Sequence, residues 1–343
     1  MIEAAVAALR SGPHQYPSML GIPALRQAVA DNARRFHGHE VDWEREVLVT
    51  SGATEALCDA LLGLLEPGDE VIIFEPAYDS YAPIIRRGGA IPVPVRLSPP
   101  DWRLPEDRVL AAITPRTRAI IVNTPMNPTG KVFDAAELRF LADLLLKHDL
   151  VAICDEVYEH LVFDGLRHRS LFDFPEVRDR VVRIGSAGKS FSVTGWKIGY
   201  VTADAKLLTP IIRAHQFVTF TTPPALQAAV AVGLAFPDSY FAGLKTTLQT
   251  RRDFLAAALR EVGFDVAPAP GTYFAIADYS ALDAGGDDLA FCRRMTQEAG
   301  VTAVPLSAFF SQPGPSRHIR FCFAKTEPVL RVAAERLAGW KAR

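Results

Sequence analysis

Two lysines, Lys189 and Lys197, stand eight residues apart in a glycine-, serine- and threonine-rich stretch running from Gly185 to Tyr200. Lysine is scarce in this sequence, eight residues against twenty-nine arginines, so a pair within one segment calls for a chemical reason. An amine in a partly desolvated, cation-rich pocket loses its proton more easily and becomes a nucleophile toward carbonyl carbon. A second lysine and neighbouring hydroxyls, Ser186 among them, suit an anion. A solvated surface turn would have a similar composition. What argues for a site is the setting, because Val181–Ile184 before the stretch and Gly199–Thr202 after it read as short buried strands.

Other residues invite chemistry with weaker signals. Asp155, in Cys154-Asp-Glu-Val-Tyr158, follows an apolar strand and reads alone as a helix cap or turn residue. Asn127 lies in the turn-forming run Asn123-Thr-Pro-Met-Asn-Pro-Thr-Gly130. Gly52-Ala53-Thr54 opens a helix, whose free N–H groups would suit a phosphate, as at any such turn. Tyr78, after Glu75-Pro-Ala, reads alone as a core tyrosine at a helix start. Arg320 sits among apolar residues in His318-Ile-Arg-Phe-Cys-Phe323, where a guanidinium is rarely buried without a partner and could grip a carboxylate through two hydrogen bonds.

The pattern Ser186-x-x-Lys189-x-Phe-Ser-x-Thr-Gly-Trp-Lys197-x-Gly resembles the cofactor-lysine signature of fold-type I (class I/II) aminotransferases. The wording around it resembles most closely the kynurenine/glutamine/methionine aminotransferase branch, and the likeness runs from about Tyr16 to the C-terminus. The resemblance implies pyridoxal 5′-phosphate as cofactor and amino-group exchange between an L-α-amino acid and a 2-oxo acid by a ping-pong mechanism. It implies Lys189 as the Schiff-base lysine and proton carrier, with Asp155 paired to the pyridinium nitrogen. Tyr158 and Asn127 would face the ring hydroxyl and Tyr78 would stack on the ring. Gly52, Ala53, Thr54, Ser186 and Lys197 would hold the phosphate, and Arg320, beside Asn127, would anchor the substrate carboxylate. It further implies a homodimer with shared active sites, Tyr16 reaching the neighbouring subunit's phosphate and Phe220 lining its substrate pocket. Met126 stands where relatives usually carry a polar residue, and Met1 falls about where their N-terminal arm ends. A β-lyase acting on cysteine conjugates or cystathionine would share every cofactor residue. A non-catalytic, cofactor-sensing regulator would need a DNA-binding module, and no basic patch is visible.

Around these residues, strand and helix alternate from Val47 to Tyr200, the pattern of an α/β domain with a mostly parallel sheet flanked by helices. Ser51–Thr54, Asn127, Asp155 and Ser186 all fall at carboxyl ends of expected strands, where such sheets bind ligands. A helical segment from Pro237 to Gly263 is expected to bridge to a smaller α+β domain with strands near 272–277, 301–305 and 318–323. The division expected is a large cofactor domain over residues 16–245 and a small domain from 1–15 and 246–343. The chain's 343 residues suit two domains. The net charge of −2 argues against nucleic acid, and no run is long enough to cross a bilayer. Four scattered cysteines suit reduced thiols in a cytoplasmic protein, and the histidines, His215 included, show no metal-ligand spacing.

Overall fold

The computed structural model describes residues 1–283, 287–314 and 317–341. Helices α1 (Ile2–Ser11) and α2 (Pro23–His37) precede β1 (Val47–Thr50) and α3 (Gly52–Leu64). There follow β2 (Glu70–Glu75), α4 (Tyr81–Arg87), β3 (Ile91–Arg96), α5 (Glu106–Ala112), β4 (Thr117–Asn123), α6 (Ala135–His148) and β5 (Val151–Asp155). A capping box opens α6, Asp134 accepting from the Glu137 N–H and the Glu137 carboxylate from the Asp134 N–H. A long segment without α-helix or strand then leads to β6 (Val181–Ser186), the short helix α7 (Ala187–Ser190) and β7 (Gly199–Ala203).

These strands form a seven-stranded sheet in the order β1-β7-β6-β5-β4-β2-β3. Neighbours from β3 to β6 are parallel, while β7 runs antiparallel between β6 and β1. Strands β1, β2, β5, β6 and β7 read as near-continuous apolar runs because both sheet faces are covered. Leu138, Leu141 and Leu145 of α6 pack against one face, and Leu57 and Leu61 of α3 against the other.

Helices α8 (Ala205–Val218), α9 (Pro224–Leu234) and α10 (Asp238–Val262) follow. Helix α10 runs from one hydrophobic core to another. Its Phe241 packs with Leu25 and Val49, whereas Leu255 and Leu259 join the core of the second body. That body holds β8 (Asp265–Val266), β9 (Phe274–Asp278), α11 (Asp288–Ala299), β10 (Val304–Pro305), β11 (His318–Cys322) and α12 (Glu327–Lys341). Its strands form an antiparallel sheet, β10-β11-β9-β8.

Two expectations need correction. Residues 1–15 are expected with the small domain, but α1 packs along α9, with the Met1 side chain against Gly233 and among the Leu25–Val230 cluster. The mixed face of a short helix does not say which body it will cover. Tyr78, expected at a helix start, instead lies before α4, which begins only at Tyr81, the Ala77 N–H being taken by the Phe309 carbonyl at 2.8 Å. Residues 76–80 are thereby held as a turn against the second body, which leaves Tyr78 facing the site.

Candidate active site

Strand register assembles the site. Thr50 and Ser186 both pair with Gly199, so the loops leaving β1 and β6 emerge side by side. Gly199 must lack a side chain, since a Cβ there would lie 2.5 Å from the Gly52 carbonyl carbon and 2.7 Å from the Ala53 nitrogen. Gly52 itself has φ +75°, and a Cβ on it would come within 3.3 Å of Lys197 Nζ. The start of α3, Ser186 and the Lys197 ammonium thus line one end of a concavity of about 460 Å³. The first N–H groups of a helix lack intrahelical acceptors and, with the helix dipole, favour an anion.

Asn123 and Asp155 are register partners at the ends of β4 and β5. The Asn123 amide donates to the Asp155 carbonyl at 2.8 Å and its oxygen accepts from the Asn127 N–H at 2.7 Å, which folds the Asn127 loop over the strand ends. The Asp155 carboxylate is buried and accepts from Tyr81 Oη at 2.6 Å. Burial pushes its pKa above the usual carboxylate range, while the Tyr81 hydroxyl, the Val157 N–H and the Lys189 charge pull the other way. A desolvated carboxylate with a raised pKa gains most from a cationic N–H donor. Tyr158 is also buried, and burial, with Tyr273 next to it, raises its phenol well above the ordinary value.

Lys189, on the turn of α7, projects between the two ends, its Nζ donating to Tyr273 Oη at 3.1 Å. Alternation along β11 sends Ile319 and Phe321 into the core and Arg320 to the opposite face, toward the concavity. Arg320 Nη1 donates to Asn127 Oδ1 at 2.6 Å, and its guanidinium lies 4.0 Å from the Phe274 ring centroid and 4.8 Å from that of Phe309. Burial lowers its pKa from the usual arginine value. Its short polar contact is to a neutral amide, which leaves the charge available to an incoming carboxylate.

The structure therefore gathers Gly52, Ala53, Thr54, Tyr78, Asn127, Asp155, Tyr158, Ser186, Lys189, Lys197 and Arg320 around one concavity. Tyr16 and Phe220 are not among its lining residues. They meet edge-to-face at 5.3 Å on the surface, where Tyr16 is 79% exposed and nearby Phe217 85%.

Sequence reasoning missed several residues. Tyr81 follows Tyr78 by three residues, a spacing that could have pointed to neighbouring rings, which meet at 5.6 Å. Tyr273, in Gly271-Thr-Tyr-Phe274, precedes a strand of the other body and carries no motif of its own. Behind Asp155, Glu156 and Glu159 both pair with the buried Arg183 of β6. Burial works against the charge on Glu156, yet Arg183, His168 and Ser170 hold its pKa down at about 2. The rigid stretch 155–159 thus has a charged underpinning. His215, which no sequence motif singles out, is buried against Glu55 at 2.8 Å and Asp59 at 3.4 Å.

A family model, aminotransferase class I and II, matches residues 1–337. The chain belongs to the class I and II aminotransferases. It is 42% identical to the Escherichia coli (strain K12) methionine aminotransferase over 326 residues, covering 95% of this chain and 84% of that protein. Identity is 44% to a probable N-succinyldiaminopimelate aminotransferase of Mycobacterium tuberculosis, over 98% of this chain and 88% of the relative. It is 38% to kynurenine–oxoglutarate transaminase 1 of Rattus norvegicus, over 96% and 85%. The crystal structure of the E. coli methionine aminotransferase superposes with a TM-score of 0.96 at 40% identity, covering 98% of this chain and 88% of that one. The fold is accordingly that of the fold-type I transferases, and this aminotransferase belongs to a family whose members use pyridoxal phosphate. Among the described residues no helix is long and apolar enough to cross a membrane.

Proposed function

We propose that this aminotransferase binds pyridoxal 5′-phosphate and exchanges the amino group of an L-α-amino acid with a neutral, largely apolar side chain, of the methionine, glutamine, kynurenine or aromatic type, for the oxygen of a 2-oxo acid. The observation that carries the reading is the position of Lys189, between an anion cradle and a buried carboxylate. The donor set fits the cofactor. Backbone N–H groups at Gly52–Thr54, Ser186 and Lys197 suit its phosphate, Asp155 its ring nitrogen, Tyr158 and Asn127 its ring hydroxyl, and Tyr78 its face. When bound, the cofactor supplies an electron sink conjugated to the amino carbon.

The protein's own contribution follows from the geometry. Asp155 keeps a proton on its cationic partner because burial makes an uncompensated carboxylate costly. Lys189 Nζ is the mobile base and acid, able to take a proton on one side and return it nearby. Arg320 fixes a carboxylate in one plane, so that only one substrate bond faces Lys189. Phe274, Val304, Ala308 and Phe309 beside Arg320 form an apolar wall, which supports the substrate class. A half-reaction screen tests it. Each amino acid is mixed with the loaded enzyme without acceptor, and loss of the cofactor's absorbance should be fastest with methionine-like or aromatic substrates. Fastest loss with aspartate would contradict this reading, and pyruvate released without acceptor would favour a β-lyase.

Replacing Arg320 by Lys keeps the charge but removes both the planar fork and the stacking on Phe274. We expect kcat/KM to fall by about 2–4 kcal/mol of transition-state stabilisation for every amino acid tested. Unchanged kcat/KM would move the carboxylate anchor elsewhere.

The exposed Tyr16–Phe220 pair supports a homodimer with shared sites, since neither ring serves its own chain's concavity. Mixing Lys189→Ala with Tyr16→Ala subunits should create one site with native Lys189 and native Tyr16. Activity should exceed that of the Tyr16→Ala parent, and simple averaging after verified exchange would refute sharing.

A further inference from the structure

Lys189 Nζ makes its hydrogen bond to a residue of the opposite body. Tyr273 Oη accepts from it at 3.1 Å, and the amine lies 5.7 Å and 5.8 Å from the ring centroids of Tyr158 and Tyr273. The two tyrosine rings meet edge-to-face at 5.2 Å.

The turn carrying Tyr273 is held with unusual firmness. Thr272, just before it, has φ +66°, a conformation costly for a β-branched residue. Its N–H donates to the Leu161 carbonyl at 3.0 Å and its hydroxyl accepts from the Phe274 N–H at 3.1 Å. A Cβ on Gly271 would lie 2.6 Å from the Pro125 side chain, so this turn is docked on the Asn127 loop. The Tyr273 carbonyl accepts from the Phe323 N–H at 3.0 Å, tying the turn to the end of β11, which also bears Arg320. Packing needs would be met by phenylalanine here. A hydroxyl aimed at the one amine central to the site, on a strained backbone, points to function.

We propose that Tyr273 is a further catalytic residue of this aminotransferase, its phenol holding the Lys189 amine in line and exchanging a proton with it. The inference rests on the reading of Lys189 as the lysine that bonds the cofactor. Only O–H and N–H bonds change in the exchange: the Tyr273 O–H bond breaks as its proton forms a third N–H bond on the neutral Lys189 amine, leaving a phenolate beside an ammonium, and the reverse transfer restores both.

The test compares Tyr273→Phe with the wild type in two assays on apoenzyme. The first is affinity for pyridoxine 5′-phosphate, which has the ring and phosphate but no aldehyde. The second is the rate at which pyridoxal 5′-phosphate is covalently captured, trapped by borohydride and quantified by mass, as a function of pH. Tyr273→Phe should bind pyridoxine 5′-phosphate within about twofold of wild type, yet capture pyridoxal 5′-phosphate at least about tenfold more slowly, with an altered pH profile. Capture at the wild-type rate overturns the proposal. So does a parallel loss of pyridoxine 5′-phosphate affinity and thermal midpoint, which would mark a packing role. If the wild type itself captures nothing, the underlying reading of Lys189 fails and the proposal with it.

Discussion

Lys189→Ala should lower transamination by at least about 10⁴-fold, because it removes both the nucleophile and the group that moves the proton. The variant should nevertheless retain pyridoxal phosphate non-covalently, since the cradle at Gly52–Thr54, Ser186 and Lys197 does not depend on the Lys189 amine. Equilibrium dialysis with enzyme assays on the same sample separates the two effects. Residual turnover near the wild-type level would mean that another amine does the chemistry. Lys197 is the alternative to watch, and the geometry argues against it. Its Nζ lies against Gly52 at the anion end, whereas the Lys189 amine lies 5.7 Å from the Tyr158 ring centroid and the Asp155 carboxylate senses its charge.

The second large effect is on stability. His215→Ala should cost about 3–5 kcal/mol, the range for removing one partner of a buried ion pair. His215 Nδ1 faces Glu55 at 2.8 Å and Nε2 the Met19 carbonyl at 3.1 Å; both partners can only accept, so both ring nitrogens carry hydrogen and the ring is an imidazolium. The ring ties α8 to α3 and to the segment that bears Tyr16, while Glu55 also takes the Ser51 N–H at the mouth of the anion cradle. Although burial opposes the charge, Asp59 and Glu55 raise the His215 pKa from 6.5 to about 9. The folded state therefore binds the proton more tightly than the unfolded chain. The stabilisation is fully present below pH 6.5 and is lost as pH rises through about 9. Asp59, raised by burial from 3.8 to about 6, acts with the same sign over that lower window, stability falling as it ionises. Urea unfolding of wild type and His215→Ala between pH 6 and 10 should show a gap that narrows toward the alkaline end. A constant gap would contradict the imidazolium.

Much of the frame was legible because local signals agreed with tertiary demands. The apolar runs at Val47–Thr50 and Val151–Asp155 became strands with those bounds, and Pro237 and Gly263 flank α10. Lys189, Asp155 and Arg320 were legible as candidates through motif and setting, Lys189 in a polar stretch between two buried strands and Asp155 and Arg320 each as a polar group in an apolar run. Tyr273 and Tyr81 were not, because a tyrosine near a strand or helix start is ordinarily core. Their meaning lies in the neighbour across 84 and 74 residues of chain, respectively. His215 was hidden for the same reason, its carboxylate partner Glu55 being 160 residues away. The position of α1 depended on a tertiary choice between two bodies that its own sequence does not encode.

The central claim is that Lys189 is the residue that bonds pyridoxal phosphate. Apoenzyme reconstituted with the cofactor, reduced with borohydride and digested should yield one phosphopyridoxylated peptide, with the mass increment on Lys189 of the Gly185–Tyr200 stretch. Label on Lys197, label spread over several lysines, or no label at all would contradict it.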